Sequence, residues 1–176
     1  MKQTIYILVV ILAGSFAAFG QTTKEKIDIK ITKPVEEREV FDPKKDPNAD
    51  LKAAVAKAQK ENKRIILDIG GEWCGWCRHM DKFFTLNPAL GKIREENFIW
   101  VKVNMSEENE NKEFLSKYPE IPGYPHLFVL EKDGSLLQSQ NTSELEQEKT
   151  YNLQKFTDFL TKWSPAKTSE SMLNSK

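Results

Sequence analysis

The sequence predicts an α/β fold: a central mixed β-sheet flanked by helices and preceded by an N-terminal extension. Two observations carry this prediction. Apolar strand-like runs first alternate with amphipathic helical stretches, implying a parallel β–α–β unit, and a later hairpin signature adds antiparallel strands. In addition, the only two cysteines of the 176 residues stand as Cys74-Gly75-Trp76-Cys77 between one such strand and one such helix, a redox context. No internal repeat interrupts the pattern.

The elements follow in order. Lys2, the apolar run from Ile5 to Phe19 and the small residues Ala18 and Gly20 predict a signal peptide over residues 1–20, cleaved before Gln21. The apolar stretch is about 15 residues, short of the ~20 that span a bilayer. Residues 21–45 form a polar extension with one alternating segment, Ile27 to Ile31, of edge-strand character. Asp42-Pro43 and Asp46-Pro47 break it, and a domain is expected over 46–163. Ala49 to Asn62 has helical spacing of Leu51, Ala54, Val55 and Ala58, with Asn48 or Asp50 as cap. Ile65 to Ile69 is a buried strand. Cys74 to Leu86 is a helix turning Met80, Phe83 and Phe84 to the core, and Pro88 opens a further helix to Glu96. Phe98 to Asn104 is a second strand and Ser106 to Tyr118 a second amphipathic helix. Lys132-Asp133-Gly134 joins two hairpin strands, His126 to Glu131 and Ser135 to Gln138. Ser139 to Lys149 is read as a polar connection. The last helix, Thr150 to Trp163, buries Leu153, Phe156, Phe159 and Leu160, and a disordered tail over 164–176 follows Ser164-Pro165.

Composition excludes some functions. The chain carries 26 basic and 26 acidic residues, and loss of Lys2 with the leader leaves 25 against 26. A balance so near neutrality gives no footing for nucleic acid or an anionic membrane surface. Two cysteines three apart close too small a loop to stabilise an exported domain, because the loop-entropy gain grows with loop length. The pair is better explained by chemistry. At a helix N-terminus, unpaired N–H groups and the helix dipole favour an anion, so Cys74 is the expected attacking thiolate. Cys77, one turn on, is the expected resolving thiol.

At this point the chain resembles the thioredoxin family. The family's buried strand, aspartate, tryptophan and Cys-Gly-x-Cys fall on Asp68, Trp73, Cys74, Gly75 and Cys77. Val101-Lys102-Val103-Asn104 matches its next strand, whose lysine approaches the aspartate. Ile121-Pro122-Gly123-Tyr124-Pro125 matches its cis-proline segment. The resemblance implies a thioredoxin fold, with Asp68 as a buried acid–base group for Cys77 and Lys102 as its charge neighbour. It also implies a substrate ledge at Tyr124 and cis Pro125, where an extended partner pairs as an added strand. Trp73, Gly75 and Trp76 complete the expected substrate contact.

The chain departs from thioredoxin at Trp76, which replaces a rigid proline between the cysteines. Its indole is expected to cover the sulfurs or touch the substrate. Lys82 replaces a helix proline and Tyr124 a smaller residue. Arg78 follows Cys77, so the haem-attachment motif Cys-x-x-Cys-His fails, and His79 is read as a solvated helix histidine. The expectation is an exported, periplasmic or secreted, monomeric thiol–disulfide oxidoreductase, with reductase favoured over isomerase or oxidase. It takes electrons from an upstream thiol donor and passes them to protein disulfides. No metal and no cofactor beyond the Cys74–Cys77 dithiol is assigned. The rival from another class is a module binding Cu(I) or Zn through the two thiolates, with His79 and His126 as further ligands.

Overall fold

The computed structural model describes residues 38–166. The expected leader, most of the extension with its Ile27 to Ile31 segment, and the tail from residue 167 lie outside the described residues. Helix α1 (Pro47–Glu61) leads to strand β1 (Arg64–Gly70), helices α2 (Gly75–Leu86) and α3 (Pro88–Asn97), and strand β2 (Phe98–Asn104). A short α4 (Lys112–Leu115) precedes the hairpin β3 (His126–Leu130) and β4 (Leu136–Asn141). A 3-10 turn (Thr142–Leu145), the two-residue strands β5 (Glu146–Gln147) and β6 (Thr150–Tyr151), and α5 (Leu153–Lys162) complete the order.

The main sheet runs β2-β1-β3-β4. Strand β1 pairs parallel with β2 and antiparallel with β3, and β3 pairs antiparallel with β4. Side chains alternate across a strand. Ile65, Leu67 and Ile69 therefore pack with Ala54, Ala58 and Phe114 on one face. Ile66 packs with Met80, Phe83, Phe84, Phe156 and Leu160 on the other. Asp68, two residues from Ile66, shares that second face. Alternation along β1 thus aims a carboxylate at the side occupied by α2.

Four expectations are corrected. The first helix starts earlier: Asp46, not Asn48 or Asp50, caps it by accepting from the Asn48 amide, and Pro47 takes the first position, where its missing N–H costs nothing. The helix expected from Ser106 to Tyr118 shrinks to α4. Asn104 Nδ2 donates to the Asn109 carbonyl at 2.9 Å, Asn109 Oδ1 accepts from the Asn111 amide at 3.0 Å, and Asn111 is left-handed at φ 48. These amide side chains satisfy the backbone in place of a helical ladder. The segment read as a polar connection is instead ordered: β4 continues to Asn141, and the 3-10 turn and the β5–β6 ribbon follow. Its anchor, Tyr151, is 2% exposed, whereas Leu153, assigned to the core, is 48% exposed at the start of α5.

Candidate active site

Cys74 is the N-cap of α2, and its Sγ accepts from the Cys77 amide at 3.1 Å. The two cysteines form a disulfide with Cα atoms 5.3 Å apart, and both are buried. The end of β1 backs directly onto this bond. A Cβ on Gly70 would stand 2.5 Å from Cys77 Sγ, so the close approach requires glycine there.

Aromatic side chains frame the sulfurs. The Trp73 ring is 57% exposed, with its indole N–H donated to the Met105 carbonyl at 2.7 Å. It meets Tyr124 edge-on at 5.6 Å. Trp76 packs against the buried cluster of Phe41, Cys74 and Cys77. It is also held edge-on by Tyr151 at 5.3 Å and His79 at 5.2 Å. Gly75 is exposed between them. Tyr124 packs on the cysteines too, and the Tyr124–Pro125 bond is cis. The Pro125 carbonyl accepts from Thr142 Oγ1 at 2.6 Å. An open groove of about 770 Å³ begins at Trp73 and Phe41 and is bordered by Met105, Glu107, Glu108 and Glu110.

Behind Cys77 lies a buried charge cluster. Strand register sets Asp68 beside Lys102. The Lys102 ammonium is 3.6 Å from Asp68 Oδ2 but only 2.8 and 2.9 Å from the two oxygens of Asp81. Trp100 donates its indole N–H to Asp68 Oδ2 at 3.1 Å, and Asp68 Oδ1 has no partner. Burial pushes the Asp68 carboxyl up to about 6, against the opposing pull of Lys102 and Trp100. Desolvation therefore outweighs charge pairing.

Sequence reasoning missed Asp81, the nearer partner of Lys102. The signal was there: Asp81 lies four residues after Cys77, on the same helix face. It also missed Phe41, which joins the buried cluster of the two cysteines from the polar extension, and Tyr151. The histidines are held separately. His79 Nε2 pairs with Thr150 Oγ1 at 3.0 Å, and His126 Nε2 with Ser139 Oγ at 2.8 Å. Burial lowers His126 to about 4 and keeps it neutral. Among the described residues, no group of three or more His, Cys, Asp or Glu side chains is arranged to hold a metal ion, and no helix is long and apolar enough to cross a membrane.

Comparison with known proteins gives the same picture. Residues 46–132 match the family described as thioredoxin-like. A thiol:disulfide interchange protein DsbD from Colwellia psychrerythraea is 27% identical over 97 residues, which are 54% of this chain and 16% of that protein. The chain therefore spans about a sixth of that relative. The crystal structure of a disulphide isomerase from Xylella fastidiosa Temecula1 is 27% identical, with a TM-score of 0.61 over 69% of this chain and 94% of that one. The oxidised DsbD C-terminal domain of Neisseria meningitidis shares the fold at 23% identity and a TM-score of 0.50, over 72% of this chain and 99% of that one. Residues 46–132, the stretch that carries Cys74 and Cys77, are thus thioredoxin-like.

Proposed function

We infer that the chain is an exported thiol–disulfide oxidoreductase that acts as a reductase of protein disulfides. The observation that carries this reading is the Cys74–Cys77 disulfide at the start of α2 with the unpaired Asp68 oxygen buried behind it. In the reduced protein, the Cys74 thiolate attacks one sulfur of a substrate disulfide, and the other leaves as a thiolate. Cys77 Sγ then attacks Cys74 Sγ, its proton passing to Asp68. The second substrate sulfur departs, and two electrons have moved from the dithiol to the substrate. An upstream thiol donor restores the dithiol, so the two sulfurs are the working redox group. The groove beside Trp73 and the ledge at Tyr124 and Pro125 would receive an extended segment of the substrate. The leader-like residues 1–20 and the DsbD relatives support export.

The test is reduction of insulin disulfides together with the equilibrium of the pair against glutathione. Turnover with a strongly reducing pair is expected. Cys74→Ser should abolish exchange, and Cys77→Ser should accumulate mixed disulfides with substrate. Identical behaviour of the two variants would overturn the assigned roles. A second reading, isomerase, is favoured by the likeness to the Xylella disulphide isomerase. It requires reactivation of a scrambled disulfide protein by the reduced form without net consumption of the donor.

A further inference from the structure

Phe41 comes from a stretch whose composition reads as a linker, yet it is 2% exposed. It shares one buried cluster with Cys74 and Cys77. Lys102 Nζ stands 4.1 Å from the ring centroid. A Cβ on Gly70 would meet the ring tip at 3.1 Å, just beyond Cys77 Sγ. Phe41 is thus one wall of the compartment that holds Cys77, Lys102 and the charges behind them. The other groups facing Asp68 are Lys102 and Trp100 from β2, Asp81 from α2 and Tyr151 from β6.

The wall is fastened from outside. The Phe41 amide donates to Glu72 Oε1 at 2.9 Å. The Arg38 guanidinium bonds Glu72 and reaches Asp81 Oδ2 at 2.9 Å. The carboxylate that pairs with Lys102 from within is therefore also gripped by the segment that carries Phe41. Charges alternate in sign along Arg38, Asp81, Lys102 and Asp68.

We propose that Phe41 is a positioning residue of the redox site: it denies water to the Asp68–Lys102–Asp81 compartment and thereby governs proton transfer from Cys77 to Asp68. The inference rests on the oxidoreductase reading above. The step is balanced: as Cys77 Sγ bonds to Cys74 Sγ, the Cys77 proton moves to the Asp68 carboxylate and the substrate sulfur leaves with the bonding pair. An apolar wall disfavours the charged carboxylate by withholding hydration, which agrees with the raised titration of Asp68. Water admitted through a gap at Phe41 would restore hydration and make Asp68 a weaker base.

The experiment compares wild type, Phe41→Ala and Phe41→Leu in two measurements. The first is the pH dependence of single-turnover product release from a model disulfide, followed by tryptophan fluorescence. The second is hydrogen exchange of the Trp100 indole proton, which reports water at Asp68 directly. Phe41→Ala should move the acid limb of the rate down by about one pH unit and speed indole exchange by about tenfold or more. Phe41→Leu, which keeps an apolar wall, should stay near wild type. A folded Phe41→Ala with an unmoved limb and unchanged exchange overturns the proposal, as does a leucine variant that behaves like alanine. If Phe41→Ala does not fold, Arg38→Gln at the partly exposed clasp carries the test: indole exchange should rise several-fold, and an unchanged rate overturns the proposal. Wild type without exchange activity would sink the oxidoreductase reading instead, and unchanged indole exchange would still count separately against the wall.

Discussion

On the Cys77 side of α2 the supporting contacts are ionic: Asp81, Lys102 and Asp68 lie in a line closed by Arg38 and Phe41. On the Trp76 side they are aromatic: Tyr151 and His79 meet the indole, and Phe83 and Phe156 pack against Tyr151. Each support is completed from a segment that reads as polar and irregular: Arg38 and Phe41 before α1, and Tyr151 between β4 and α5. The difference separates two tasks. Packed rings hold shape through many weak contacts at little electrostatic cost. Buried charges cost stability unless paired, and such a cost fits a site where a proton is handled.

That separation can be broken by substitution. The largest stability effect is expected at Tyr151, where Tyr151→Ala removes a buried ring and should cost about 3–5 kcal/mol, measured by urea unfolding. Trp76 fluorescence should shift with it. A loss below about 1 kcal/mol would mean that the β5–β6 segment is a bystander.

Asp68→Asn should do the opposite, stabilising the protein while slowing it. The folded carboxyl titrates near 6 against an ordinary 3.8. The folded state therefore binds the extra proton between those values, and the stabilisation is full below pH 3.8 and lost as pH rises through 6. At neutral pH the charged, buried Asp68 costs up to about 3 kcal/mol, which the asparagine variant should recover because Lys102 keeps Asp81. Product release should slow by roughly a hundredfold. His126 has the opposite slope: lowered from 6.5 to about 4, it contributes stability above 6.5 that is lost as pH falls toward 4. Wild-type stability should thus change little across the overlapping window, while Asp68→Asn should weaken steadily on acidification. Parallel pH curves for the two proteins would refute both assignments.

The smallest effect sharpens the comparison at the ledge. Thr142→Val leaves the buried Pro125 carbonyl without its donor and should cost about 1–2 kcal/mol. Substrate affinity should weaken more than the rate of the chemical step. A change in rate alone would detach Thr142 from substrate positioning.

Much of the fold is legible because it is written in local periodicity. Apolar runs mark β1 and β2, and the helical spacing of Met80, Phe83 and Phe84 marks α2. What was hidden depends on partners far along the chain. Phe41 is a lone aromatic just ahead of the Asp42-Pro43 and Asp46-Pro47 breaks, without a periodic neighbour to announce a buried face. Asp81 looks like one more charged helix residue until β2 brings Lys102 to it, 21 residues later. The helix expected after Ser106 fails because asparagine side chains compete for the same backbone groups, a competition that apolar spacing does not register. Tyr151 was absorbed into the first turn of a helix that begins two residues further on.

The pairing of Asp68 with Lys102 across β1 and β2 has a bearing on how the chain finds its sheet. A parallel alignment displaced by two residues would keep every side chain on its proper face, so hydrophobic patterning alone would accept it. It would set Asp68 opposite Trp100 or Asn104 and strand both charges in an apolar interior. The ion pair therefore favours one strand alignment: the same two residues proposed to serve the sulfurs disfavour the nearest wrong sheet.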